Sequence, residues 1–250
     1  MICRSKADFE GMKLAGKITG EALKYAESLI KPNISTLKLD KLIKKFIIDK
    51  GAIPSFLNYD GYPASICASV NSTVVHGIPS EKVVLREGDI ISIDVGVIIN
   101  GYNGDAARTF AVGKISPEKE KLVRVTRECF FKGIKKLSVG VKLGEMSAEI
   151  QKHAEENGYS VVRELVGHGI GRNMHEYPEV PNYGQPNSGA TVKDGMCLAI
   201  EPMINMGERY IYIEDDGWGI VTKDGKPSAH YENTVIVTSE GVIITTLYEE

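Results

Sequence analysis

An internal repeat with a spacing of 107 residues is the feature that most constrains how this chain can fold. An Arg-Glu-Gly-Asp sequence at 86–89 leads through an apolar run to Asp94, and a Lys-Asp-Gly-Met sequence at 193–196 leads through a similar run to Glu201. The same shift of 107 residues aligns three further pairs: Ile34 with Val141, Ile43 with Ile150, and Gly51 with Gly158. Self-similarity of this kind indicates two related structural units.

Hydrophobic periodicity predicts the same order of elements in both halves, two helices followed by strands. The predicted helices cover residues 5–31, 36–50, 117–137 and 143–157. Ser5 and Asp8 form a capping-box pattern at the start of the first helix, and Lys31-Pro32 ends it. Residues 52–89 are predicted to form loops with short strands. We therefore predict an α+β fold with pseudo-twofold halves, in which acidic side chains from both halves meet at a central antiparallel sheet flanked by helices.

Composition and charge are those of an ordinary globular protein, with 42% apolar and 25% charged residues. A chain of 250 residues can bury a large core, so we predict a single domain over residues 1–250. The net charge of −3 gives no reason to expect nucleic acid or a membrane surface as a partner. No apolar run approaches the ~20 residues that a membrane span needs. Four scattered cysteines without a C-x-x-C pair favour a reducing compartment, and we expect a soluble, cytoplasmic protein.

Four carboxylates lie in or beside apolar strand segments: Asp94, Asp105, Glu201 and Glu232. Burying an isolated carboxylate costs several kcal/mol or shifts its pKa until the group is neutral. Any one of them alone could face solvent at a strand end. Because four occur together and two are related by the repeat, we expect them to share a cation.

Asn100-Gly101 predicts a tight hairpin between strands at 90–100 and 102–112. In the register that this turn implies, residue 94 faces residue 107. Asp94 and Asp105 are then diagonal neighbours whose α-carbons lie ~7–8 Å apart. That separation allows the two carboxylates to bind the same metal ion.

Three of the five histidines lie in glycine- or proline-rich connections, where functional side chains are often found: His76, His168 and His175. Each is either a turn residue or a member of an active site. His153 is expected to be an ordinary helix residue, and His230 is either structural or a support for the site. Four carboxylates and one imidazole form an oxygen-rich donor set that favours a hydrolytic pair of Mn, Fe, Co or Zn ions.

The order of short motifs resembles that of the type I methionine aminopeptidases. The matching segments are 71–79 (NSTVVHGIP), 94–96 (DVG), 104–105 (GD), 167–171 (GHGIG), 200–203 (IEPM) and 231–232 (YE). The resemblance extends from Phe9 to Thr246 with compatible spacing. It implies the pita-bread α+β fold and hydrolysis of the bond after the initiator methionine of nascent proteins, with preference for a small second residue.

The resemblance also implies a role for each matching carboxylate and for one histidine. Asp94 would chelate one metal ion, Asp105 and Glu232 would bridge two ions, and His168 and Glu201 would complete the second. Glu201 would in addition act as the general base. Which of Co, Mn, Fe or Zn is used, and how many ions are bound in the cell, is left open.

Substrate contacts follow from the same resemblance. His76 and His175 would contact the scissile amide and stabilise the intermediate. The methionine side chain would lie among Tyr59, Tyr62, Cys67, Met174 and Trp218. Met174 departs from the family, where a larger aromatic residue is common. Asn71, Thr73 and Ser228 correspond to positions that bind a monovalent cation in some relatives.

The expected partners are the N-termini of nascent polypeptides and the ribosome. The protein is expected to be a monomer that binds neither nucleic acid directly nor membranes. Two alternatives remain. A prolidase or aminopeptidase P would share the fold, but such relatives usually carry a preceding domain for which 250 residues leave no room. A catalytically inactive binding protein of this fold would be expected to have lost ligands, and all five metal positions are present.

Overall fold

The computed structural model of the chain describes residues 1–248, which form an α+β structure. The helices are α1 (Lys6–Leu29), α2 (Thr36–Asp49), α3 (Pro117–Ile134) and α4 (Leu143–Glu156). The first strands are β1 (Ile53–Pro54), β2 (Ile66–Val70), β3 (Thr73–Val75), β4 (Ile90–Ile99), β5 (Tyr102–Ala111), β6 (Ser160–Val161), β7 (Gly167–Gly169) and β8 (Glu176–Val180). The remaining strands are β9 (Met196–Ile200), β10 (Met203–Asn205), β11 (Ile211–Ile213), β12 (Ile220–Thr222), β13 (Ser228–His230), β14 (Asn233–Thr238) and β15 (Gly241–Ile244).

The predicted repeat is confirmed by hydrogen bonds that recur after 107 residues. Ser35 forms an isolated bridge with Val84, and Lys142 forms the equivalent bridge with Thr191. The backbone contacts beside these bridges also recur: Leu85 N donates to Ile34 O (2.9 Å), and Val192 N donates to Val141 O (2.8 Å). Each half therefore begins its second helix from the same local structure.

The four predicted helices are confirmed, and their ends differ from prediction by a few residues. Ser5 and Asp8 form the predicted capping box at the start of α1. The helix α3 ends at Ile134 rather than at residue 137. Residues 135–137 continue instead as a turn, in which Lys136 N donates to Gly133 O (2.9 Å) and Leu137 N donates to Ile134 O (3.0 Å). Helix ends commonly tighten in this way, so the last turn is hard to predict from periodicity.

Replacing Ser5 with alanine should lower the free energy of unfolding by about 1 kcal/mol, because the helix loses its N-cap acceptor. Ser5 Oγ accepts from Asp8 N (3.2 Å), and no methyl group can do so. The melting temperature should fall by about 2–4 °C for a chain of this size, as measured by thermal denaturation. Ser138→Ala, an exposed serine after α3, is the control and should leave the melting temperature unchanged.

The predicted hairpin is confirmed and places the first two carboxylates. Asn100 and Gly101 both have positive φ (51° and 73°), as a two-residue hairpin turn requires. In the register of β4 with β5, Asp94 faces Ala107 and Gly96 faces Asp105, so the two carboxylates are diagonal neighbours. Their strand β4 also pairs with β2, where Cys67 faces Asp94.

The second half contributes a five-stranded sheet in the order β15-β14-β9-β7-β8. His168 in β7 faces Ala199 in β9, and Ile200 of β9 faces Asn233 of β14. Glu201 directly follows β9 and Glu232 directly precedes β14. The register therefore brings His168, Glu201 and Glu232 together at one end of the inner strands β7, β9 and β14.

Helices pack against the sheets of both halves. In the first half, α1 lies so close to β5 that a Cβ atom on Gly104 would lie 2.8 Å from the backbone of Ala15 and Gly16. Leu23, Ile43 and Ile91 are fully buried in the core of this half. In the second half, α3 and α4 pack on each other, α3 packs on β10 and β13, and α4 packs on β6, around a core that contains the fully buried Phe130. Among residues 1–248, none of the helices combines the length and the hydrophobicity needed to cross a bilayer.

Candidate active site

All twelve residues predicted for the site line one cavity of about 240 Å³ between the two halves. The polar members are His76, Asp94, Asp105, His168, His175, Glu201 and Glu232, and the others are Tyr59, Tyr62, Cys67, Met174 and Trp218. Phe56 and Asp60 also line the cavity and were not predicted. Both lie in the same loop as Tyr59, and neither belongs to a sequence motif that would have indicated a place in the site.

The carboxylates lie together at the buried end of this cavity. Ligand atoms of Asp105, His168 and Glu232 all lie within 4.8 Å of one another. Burial raises the pKa of Asp94 well above its usual range, and the neighbouring Asp105 and Glu201 raise it further. Burial likewise raises the pKa of Asp105 to about 7. The pKa values of Glu201 and Glu232 are also raised by burial and by the charge of Asp105.

His168 presents one ring nitrogen to the carboxylates. Its Nδ1 lies 3.0 Å from Gly169 O, and since a carbonyl only accepts, Nδ1 carries the proton. The lone pair of Nε2 is then directed at the acidic cluster, 3.9 Å from Asp105 Oδ2 and 3.8 Å from Glu201 Oε1. Burial lowers the pKa of His168 to about 4, and a positive charge on the neighbouring His175 ring would lower it in the same direction. A neutral imidazole with a free Nε2 lone pair is the form that binds a metal ion.

The donor atoms fit a divalent metal ion. Asp94 Oδ1, Asp105 Oδ1 and Glu232 Oε1 are buried and have no hydrogen-bond partner among the described residues. Unpaired oxygens of this kind are costly, and each must be compensated by a cation or a donor. Four carboxylates and one imidazole, without a thiolate, form a set typical of hydrolytic metal centres.

Two further histidines face the same cavity. His175 Nδ1 lies 2.7 Å from the hydroxyl of Tyr59, which fixes the orientation of the ring. The rings of His168 and His175 lie 4.2 Å apart between centroids. His76 adopts a positive φ of 58°, and burial lowers its pKa. Burial also lowers the pKa of His175, which favours the neutral form of both rings.

His230 belongs to the acidic cluster but does not line the cavity. The side chain is 1% exposed, and its Nε2 lies 3.8 Å from Glu201 Oε2 and 3.9 Å from Glu232 Oε2. Burial lowers its pKa to about 3. The sequence left the role of His230 open, and the structure places it beside two of the carboxylates. His153 lies on α4 and contacts Glu128 (2.9 Å), away from the cavity.

An apolar wall faces the carboxylates. The rings of Tyr62 and Trp218 meet edge to face, 5.1 Å apart. Tyr62 is held in place because its hydroxyl lies 3.1 Å from both Ile66 O and Gly77 O and shares its one proton between them. Cys67 and Met174 are each 4% exposed. The wall combines rings, a thiol and a thioether, which suits an unbranched apolar side chain.

The three residues predicted to bind a monovalent cation lie near one another. Ser228 N donates to Asn71 O (2.9 Å), and Thr73 in β3 pairs with Val221 in the neighbouring strand β12. The ammonium group of Lys119 donates to Asn71 Oδ1 (2.9 Å). The monovalent cation itself remains a prediction.

Carboxylates and a histidine that could hold a metal ion, in an α+β fold with two related halves, are typical of metal-dependent hydrolases. The sequence model of metallopeptidase family M24 matches residues 10–239, which is most of the chain, and the protein belongs to this family. Several bacterial methionine aminopeptidases are 42–52% identical to this chain over nearly its whole length. The methionine aminopeptidase of Clostridium acetobutylicum is 52% identical over 249 residues, which cover 100% of each chain.

Proteins of known structure agree with this assignment. The methionine aminopeptidase from Rickettsia prowazekii has a TM-score of 0.96 at 43% identity, over 99% of this chain and 100% of that chain. A prolidase from Pyrococcus furiosus has a TM-score of 0.81 at 24% identity and is covered over only 66% of its length. The prolidase shares the fold alone. The predicted resemblance and the predicted pita-bread fold are therefore confirmed.

Proposed function

We propose that this protein is an aminopeptidase that hydrolyses the peptide bond after the N-terminal initiator methionine of nascent polypeptides, with preference for a small second residue. The observation that carries the proposal is the convergence of His168 Nε2 and four carboxylates, two buried and two half-buried, at the end of a cavity with an apolar wall. Similarity to methionine aminopeptidases at 52% identity over the whole chain supports it.

Five side chains would hold two divalent metal ions, which are Co, Mn, Fe or Zn. Asp94 would chelate one ion, Asp105 and Glu232 would bridge both, and His168 and Glu201 would complete the second. The unpartnered oxygens of three of these carboxylates support the assignment. When bound, a pair of divalent ions lowers the pKa of water and polarises a carbonyl group. A monovalent cation near Asn71, Thr73 and Ser228 is part of the same proposal.

The protein's own side chains would manage the proton and the developing negative charge. Glu201 is the general base that accepts the proton of the attacking water. His76 and His175 donate hydrogen bonds to the scissile carbonyl and to the tetrahedral intermediate. The bond from Tyr59 to His175 Nδ1 supports this role, because it leaves Nε2 of His175 for the substrate.

The apolar wall would hold the methionine side chain of the substrate. Tyr59, Tyr62, Cys67, Met174 and Trp218 supply rings and sulfur atoms, against which a polarisable thioether packs well. Met174 is unbranched and flexible, so it can fill space where a larger ring is common. The burial of Cys67 and Met174 supports a pocket that excludes water.

We further propose that the enzyme acts in the cytoplasm as a monomeric single domain over residues 1–250, on chains that emerge from the ribosome. All four cysteines are buried free thiols, as is usual in a reducing compartment. Docking on the ribosome would bring the enzyme to its substrates. Neither nucleic acid nor membrane is needed as a direct partner.

The reaction is tested on a metal-depleted preparation with Met-Ala-Ser and an Ala-Pro peptide as substrates. Adding back Co, Mn, Fe or Zn should restore release of free methionine from Met-Ala-Ser, and Glu201→Ala should abolish it. Cleavage of the proline peptide instead would favour a prolidase. Metal binding without cleavage of either peptide would contradict the proposal and favour a binding protein.

Replacing Trp218 with alanine should lower kcat/KM for Met-Ala-Ser by about 10–100-fold, because the methionine side chain loses an apolar contact surface. The effect should be mostly in KM, and steady-state kinetics measures it. Tyr212→Ala is a matched control on the same hairpin, since the Tyr212 side chain is 54% exposed and does not line the cavity. Equal losses in both variants would show that the hairpin, and not the Trp218 ring, is responsible.

A further inference from the structure

Two of the proposed metal ligands, Asp105 and Glu232, come from different halves of the molecule. Residues 230–234 run antiparallel beside residues 105–109 of β5, and we call this contact between the two halves the seam. Glu232 N donates to Ala107 O (2.9 Å) at the centre of this seam. Two residues on either side, the contacts are made by threonine side chains, at Thr234 and Thr109.

The hydroxyl of Thr234 binds both backbone groups of Asp105. Asp105 N donates to Thr234 Oγ1 (2.9 Å), and Thr234 Oγ1 donates to Asp105 O (2.9 Å). Thr234 is fully buried and Asp105 is 4% exposed, so water cannot replace these bonds. The backbone from which the Asp105 carboxylate projects is therefore attached to a residue only two positions from Glu232.

Thr234 is itself held by hydrogen bonds to Thr245 and Thr246. Its carbonyl accepts from Thr245 N (2.9 Å) and from Thr245 Oγ1 (3.0 Å). Its backbone N donates to Thr246 Oγ1 (3.2 Å). In β14 it also faces Ala199 of β9, two residues before Glu201. The hydroxyl thus connects a hydrogen-bonded strand of the second half to Asp105 in the first.

We propose that Thr234 is a positioning residue, whose hydroxyl sets the distance between the carboxylates of Asp105 and Glu232 and so determines the affinity for divalent metal. The inference rests on the proposed function of these carboxylates as bridging ligands. Groups that orient metal ligands typically change metal affinity about 10–100-fold when they are removed. A hydroxyl that binds both backbone groups of a ligand residue acts in this way without touching the metal.

Thr109 provides a matched comparison within the same seam. Thr109 Oγ1 donates to His230 O (2.9 Å) and accepts from His230 N (2.8 Å), which is the reciprocal arrangement. His230 is not one of the proposed ligands. Loss of the Thr109 hydroxyl should therefore weaken the seam without directly displacing a ligand.

The experiment compares Thr234→Val, Thr234→Ser and Thr109→Val. Valine keeps the shape of threonine and removes the hydroxyl, whereas serine keeps the hydroxyl. For each protein, calorimetry gives the dissociation constant for Mn²⁺, thermal denaturation gives the melting temperature without metal, and kinetics on Met-Ala-Ser gives kcat and KM separately.

Thr234→Val should raise the dissociation constant for Mn²⁺ by about 10–100-fold. It should also lower kcat more than it raises KM, since the methionine pocket is elsewhere. Thr234→Ser should restore Mn²⁺ affinity close to that of the wild type. Thr109→Val should lower the melting temperature of the metal-free protein as Thr234→Val does, with a clearly smaller change in Mn²⁺ affinity.

An unchanged dissociation constant in Thr234→Val would overturn the inference and leave a purely structural role. Equal losses of affinity in Thr234→Val and Thr109→Val would overturn it too. A wild-type protein that binds no Mn²⁺ would instead overturn the proposed function. If Thr234→Val does not fold, Thr234→Cys replaces it, because a thiol is a weaker hydrogen-bonding group than a hydroxyl. Thr234→Cys should bind Mn²⁺ measurably but more weakly than the wild type and Thr234→Ser, and an affinity equal to theirs would overturn the inference.

Discussion

Asp105→Asn should lower kcat/KM for Met-Ala-Ser by about a thousand-fold, because charge stabilisation by a metal centre is worth several kcal/mol and each 1.36 kcal/mol corresponds to a factor of ten. Asparagine has the same shape as aspartate but lacks the negative charge that a bridging ligand supplies. The bonds between Asp105 and Thr234 involve only the backbone of Asp105, so the substitution should leave the seam intact.

Steady-state kinetics at increasing Mn²⁺ concentrations tests this expectation. Asp49→Asn is the control, because it makes the same chemical change at a side chain that is 59% exposed on α2. The control should keep full activity. If Asp105→Asn retained more than a tenth of the activity at the same Mn²⁺ concentration as the wild type, Asp105 would not be a bridging ligand.

Local patterns predicted the helices and the hairpin because each is determined within a short segment. The capping box at Ser5 and the turn at Asn100-Gly101 need only neighbouring residues, and both are confirmed. The predicted end of α3 was wrong, because the chain tightens into a turn after Ile134 and periodicity does not distinguish such a turn from a helix. The division of the strands into several sheets could not be predicted from the alternation of apolar and polar residues, since this periodicity does not identify the partner of a strand.

The assembly of the site could be predicted only in part. The hairpin register gave the relation of Asp94 to Asp105, and the repeat related Asp94 to Glu201. The position of His168 beside Glu201 required the pairing of β7 with β9, which the sequence alone does not specify. The family resemblance supplied that link, and the structure brings the residues together. Their individual roles as ligands and catalysts remain predictions.

The seam had no sequence signal. Thr234 and Asp105 are 129 residues apart, and a threonine in a β-branched strand segment is ordinary. Only the fold reveals that this hydroxyl occupies both backbone groups of a proposed ligand. Residues that position others are therefore harder to predict than residues whose own charge conflicts with an apolar environment.

Divalent metal should raise the melting temperature of the metal-depleted protein by about 5–10 °C. Binding to the folded state alone adds about 2.7 kcal/mol at a concentration 100-fold above the dissociation constant, and each kcal/mol corresponds to about 2–4 °C in a chain of this size. The physical reason lies in the buried carboxylates. Burial and the neighbouring acidic groups raise the pKa of Glu232, so the metal-free fold contains acidic groups in an unfavourable environment.

Differential scanning calorimetry with and without Mn²⁺ measures this shift, and Glu232→Gln is the matched variant. Glutamine keeps the volume of the side chain and removes its charge, so the metal-free variant should be at least as stable as the metal-free wild type, while its Mn²⁺-induced shift should be less than half as large. An equal shift in both proteins would mean that the ions stabilise the fold from another part of the surface, such as the exposed acidic residues at 214–216. A shift confined to the wild type would link stability and metal binding to the same carboxylates.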